Sequence, residues 1–71
     1  MRPKEDLIYD LIFSENTDYE INVDEYISDI YKYDRFIDET KRVLKKSKVE
    51  ILQEKIVVDM NTVVWKIKVK K

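Results

Sequence analysis

The chain contains no cysteine, no histidine and no glycine, and its only proline is Pro3. Without Cys there is no disulfide and no thiolate chemistry, and without His as well a zinc site loses its usual ligands. The missing His also removes the usual general base. The composition therefore argues against an enzyme, and no cofactor or metal is expected. Paired carboxylates such as Asp34 and Asp38 stand one helical turn apart and read as surface charges rather than an acid/base pair. The lack of Gly excludes a glycine-rich phosphate loop and leaves every turn to Asn, Asp, Ser or Lys. No apolar run approaches membrane-spanning length, and Met-Arg-Pro-Lys-Glu-Asp has no signal-peptide pattern. The cytoplasm is the expected location, with no membrane partner.

What is present is charge, spread unevenly. The 71 residues are 41% charged with a net charge of −1. Residues 1–40 hold four basic and twelve acidic side chains, a net −8, and residues 41–71 hold ten basic and three acidic ones, a net +7. Halves of opposite sign suit two different partners, and they also suit attraction within one molecule or between two copies. The length fits one domain, residues 1–71, with a small core. Its added stability must come from eight aromatic residues or from dimerisation. The heavy use of Ile, Val, Tyr, Lys and Glu resembles thermophile proteins, and also small viral or plasmid proteins of such hosts.

The segment from Val49 to Lys70 organises the rest. Val63, Trp65, Ile67 and Val69 alternate with Val64, Lys66, Lys68 and Lys70, the period of a strand. With Val49–Val58 and a two-residue turn at Met60-Asn61, or a longer loop there, this predicts a β-hairpin. The register pairs Val58 with Val63, Ile56 with Trp65, Leu52 with Val69, and Lys55 with Lys66. Before it, Pro3 with Glu5 and Asp6 opens a helix from about Lys4 to Ser14, carrying Leu7, Ile8, Leu11 and Ile12. Tyr19-Glu20-Ile21 alternates as a short strand. Asn22 and Glu25 have the spacing of a capping box, which predicts a second helix from Val23 to about Tyr31. Lys32-Tyr33-Asp34 is then a tight connection. Asp34 caps a third helix with Phe36, Ile37, Thr40, Val43 and Leu44 inward and Lys45, Lys46 and Lys48 at its end. One continuous helix from Val23 to Ser47 competes with that division.

This order of helix, short strand, two helices and hairpin resembles a winged helix-turn-helix domain over about Lys4 to Lys70. The segment from Glu20 to Ile27 is similar to the short strand and capped second helix of that family. Phe36-Ile37 resembles the start of the third helix, and Val43-Leu44 before Val49-Glu50-Ile51 its passage into the wing. The resemblance implies an α+β fold, three helices followed by a two-stranded β-hairpin wing. Gly is absent between the third helix and the wing, where Ser47-Lys48 stand instead. It is also absent between the second and third helices.

The same resemblance implies a DNA-binding transcriptional or nucleoid-type regulator. Its contacts would come from Arg35, Lys41, Arg42, Lys45, Lys46 and Lys48 on the third helix and Lys55, Lys66, Lys68 and Lys70 on the wing. Lysine contacts of this kind grip phosphate and read little sequence. The surface that reads base edges in such proteins would here be Asp34, Arg35, Asp38 and Glu39, mostly of the wrong sign. The alternative is a protein-interaction module, including a small viral inhibitor. It would use the acidic, Tyr-rich first half, with Tyr19, Tyr26, Tyr31, Tyr33 and Asp29, to hold a basic protein partner. A homodimer fits either expectation.

Overall fold

The computed structural model describes all 71 residues. Helix α1 (Lys4–Phe13) leads into strand β1 (Asp18–Asn22). Two 3-10 turns follow, Val23–Glu25 and Ile30–Lys32, and then helix α2 (Tyr33–Lys46) and strands β2 (Glu50–Asp59) and β3 (Thr62–Lys70). The three strands form one antiparallel sheet in the order β1-β3-β2. The architecture is therefore two helices on a three-stranded sheet, which corrects the expected three helices and two-stranded wing.

The second helix fails for a local reason. The Glu25 carbonyl, which an α-helix would offer to the fourth residue on, accepts the Arg2 backbone N–H at 2.7 Å. The Glu25 carboxylate pairs with the Arg2 guanidinium at 3.1 Å instead of closing a capping box. Asn22 belongs to β1, opposite Val64, and makes no side-chain cap. Further on, Asp29 Oδ1 accepts the Tyr31 N–H at 3.1 Å, a short-range bond that competes with helix. Two 3-10 turns result. Helix α2 then begins at Tyr33, so Asp34 lies within its first turn and Lys32 occupies the N-cap.

The hairpin turns at Met60-Asn61, since Asp59 pairs with Thr62, and it keeps Val58 opposite Val63, Ile56 opposite Trp65 and Lys55 opposite Lys66. Val69, however, faces Ile51, because Leu52 is the extra residue of a bulge. Two parities meet there. Val49 is buried as the chain leaves α2, which puts the odd residues Val49 and Ile51 on the core side. The turn puts the even residues Glu54, Ile56 and Val58 on that side. A one-residue bulge reconciles them.

Strand β3 is central. Val63, Trp65, Ile67 and Val69 are buried and join Leu7, Leu11, Ile21, Val23, Tyr26, Phe36, Ile37, Leu44 and Val49 in one core, with Thr40 the single buried polar residue. The Thr40 hydroxyl donates to the Phe36 carbonyl at 2.8 Å and is satisfied. Both helices lie on this side, and the other side of the sheet is open. No helix is long and apolar enough to cross a membrane.

Candidate functional site

Helix α2 is amphipathic, with Phe36, Ile37, Thr40 and Leu44 inward, so its charges must face out. They are sorted by sign along it. Asp34, Arg35, Asp38 and Glu39 occupy the first half with Arg42 close by, and together they line one shallow polar groove. Lys45 and Lys46 lie in the last turn, where the helix dipole favours cations. The chain then leaves through Lys48 at φ 61°, a left-handed position usually given to Gly. The Val49 N–H reaches the Leu44 carbonyl at 2.9 Å and the Lys48 N–H reaches the Lys45 carbonyl at 3.1 Å. This pair of bonds is a Schellman closure, and it leaves the Lys45, Lys46 and Lys48 side chains exposed.

Strand β2 starts beside that closure, and its first residue, Glu50, faces Lys70 near the end of β3. Lys45, Lys46 and Lys48 are thus gathered at the end of α2, whereas Lys70 has the parity of Lys66 and Lys68 and projects from the open face of the sheet. None takes part in the three ion pairs, which join Arg2 to Glu25, Lys4 to Glu39 and Lys41 to Glu54. Glu50 is the acid of the adjoining strand.

The other candidate cations are placed differently. Lys41 is bound internally, 2.7 Å from Glu54 Oε2. Lys66 and Lys68 project from the open sheet face, but β1 sets Glu20 opposite Lys66 and Asp18 opposite Lys68. Lys55 stands on the other side of Lys66. The open face is therefore a mixed field rather than a bare basic stripe, and it lies across the sheet from α2. Arg35 and Arg42 share their groove with three acids.

The tyrosines do not form one patch. Tyr26 is buried, its ring stacked 5.9 Å from Phe36 and capped by the Arg2 guanidinium at 5.0 Å. Burial raises its pKa above the ordinary tyrosine value, against the opposing pull of Arg2. The Tyr19 hydroxyl donates to the Asp10 carbonyl at 2.9 Å and lies 2.6 Å from Ser14 Oγ. Tyr33 is half-buried, whereas Tyr31 is exposed beside Asp29.

Two residues matter more than the sequence suggested. Glu54 holds Lys41 with one oxygen and accepts the Trp65 indole N–H with the other, at 3.0 Å. Lys71 donates to the Ser14 carbonyl at 2.6 Å and lies 5.3 Å from the Tyr19 ring. It brings a cation to the end of α1, whose last turn has none. The periodicity of the chain carries no signal for either interaction.

These features define a small α+β domain with a polarised surface. No protein-family model matches the chain, and neither does any curated protein or solved structure.

Proposed function

We propose that the protein binds nucleic acid through its phosphates, using the basic end of α2 formed by Lys45, Lys46 and Lys48. The observation that carries this reading is that the last turn of α2 and its Schellman closure bring three exposed lysines together, none of them in an ion pair or set opposite an acid on a neighbouring strand. Lysine is a point charge without a bidentate fork, so such a surface grips backbone and discriminates weakly between sequences. The acids on the first half of α2 oppose its insertion into a major groove, which favours a backbone-tracking, nucleoid-type role over reading of an operator.

Anisotropy of a labelled generic duplex tests this. Replacing Lys45, Lys46 and Lys48 together by Gln should abolish most binding, and replacing Lys66 and Lys68 should cost less. Equal losses from both sets, or none from the first, would remove the basic end from the account.

A second reading, a protein-interaction module, draws support from the hairpin rather than from the tyrosines. The tip carries no Lys or Arg between Lys55 and Lys66. It exposes Ile56, Val57, Val58 and Met60 instead, which is poor chemistry for phosphate and good chemistry for protein.

A further inference from the structure

Strand β2 is an edge strand ten residues long, bonded to β3 on one side only. Proteins usually blunt such an edge with charges, Pro or a bulge. In β2 the Leu52 bulge and the charges Glu50, Glu54 and Lys55 come first, and the one remaining charge is Asp59 at the last position of the strand. Between Lys55 and Asp59 lie Ile56-Val57-Val58, three consecutive β-branched apolar residues that are 41%, 38% and 54% exposed. Neither helix covers them. In a chain with this much charge, an unguarded apolar edge points to a strand partner.

We propose that this partner is a second copy of the chain, its β2 antiparallel to the first and centred on Val57, joining two sheets into one of six strands. The register follows from the residues. Centred on Val57, the pairing sets Val57 against its own copy, Ile56 against Val58 and Lys55 against Asp59. The last two pairs occur twice by symmetry. Lys55, Val57 and Asp59 share the open face, and Ile56 and Val58 share the other, so both sheet faces continue across the junction. Centring on Lys55 would set that lysine against itself. Centring on Ile56 sets Lys55 and Glu54 against valines, and centring on Val58 sets Asp59 against Val57. The Val57 register alone matches apolar with apolar and joins opposite charges. This inference stands apart from the phosphate-binding reading and uses none of its residues.

The test is sedimentation of the full chain over a concentration series, without nucleic acid. The protein should dimerise. Lys55→Glu alone and Asp59→Lys alone should each weaken the dimer about tenfold, since each turns two attractive cross-strand pairs into repulsive ones. The double variant should recover the original affinity. Folding is not at risk from these changes, because Lys55 faces Lys66 within the monomer and Asp59 faces Thr62 in the hairpin. Val57→Lys should give a monomer with unchanged far-ultraviolet circular dichroism. A wild-type chain monomeric at every concentration, or a dimer indifferent to the charge exchange, would overturn the proposal.

Discussion

Trp65 donates its indole N–H to Glu54 at 3.0 Å, and this bond ties the most deeply buried ring of the sheet to the strand beside it. The second oxygen of Glu54 holds Lys41, so one carboxylate joins β3, β2 and α2. Replacing Glu54 by Ala leaves the indole N–H without its partner beside the core. The expected loss is about 1–3 kcal/mol of stability, with a change in the emission of the only Trp. Glu54→Gln keeps an acceptor and should lose less. Denaturant titrations followed by fluorescence compare the two, and an Ala variant as stable as wild type would contradict the role given to Glu54.

Lys48 holds a left-handed backbone conformation with a Cβ in place, which costs a non-glycine residue on the order of 1 kcal/mol. Lys48→Gly should therefore stabilise the fold by about that amount, despite removing a side chain. Urea midpoints decide it. A destabilised variant would mean that the Lys48 side chain contributes more than its backbone costs.

Acid should weaken the fold partly through Glu39. Its hydrogen bond and charge interaction with Lys4, 3.0 Å away, hold its pKa below the ordinary glutamate value. A carboxylate depressed in this way adds stability above its unfolded pKa of about 4.3 and loses it as the pH falls through the folded value. Thermal melts of wild type and Lys4→Met should diverge at neutral pH and converge under acid. Parallel curves would show that the pair is energetically silent.

Tyr26 gives the opposite sign. Burial raises its pKa, so the neutral phenol adds stability that is fully present below about pH 10 and is lost as the pH rises through the folded value. Tyr26→Phe should melt less steeply with alkali than wild type. Tyrosinate absorption of wild type should extend to higher pH than that of Tyr26→Phe.

The hairpin was legible because its residues alternate over a long run and its partners are adjacent in the chain. Trp65 opposite Ile56 follows from that pattern once the turn is placed at Met60-Asn61, where the structure has it. Helices α1 and α2 announced themselves by apolar spacing. The place of β1 did not. It is five residues long with only Ile21 buried, and its partner strand lies at the far end of the chain. The second helix misled because Asn22 and Glu25 carry cap chemistry, while Arg2, distant in sequence, takes the Glu25 carbonyl. In the candidate site, the lysines could be named from the sequence but not sorted. The pairing that puts Asp18 and Glu20 beside Lys68 and Lys66, and Glu54 on Lys41, is tertiary. The same pairing leaves Lys45, Lys46 and Lys48 as the group to test.

The measurement that tests the central claim most directly is the salt dependence of duplex binding. Wild type should bind with log affinity falling linearly against log salt, by roughly 0.9 per phosphate engaged. Removing Lys45 and Lys46 should flatten that slope by about one unit for each phosphate no longer neutralised, alike on unrelated sequences. No binding at low salt, or a slope unchanged by those substitutions, would contradict the account and leave the apolar edge of β2 as the working surface.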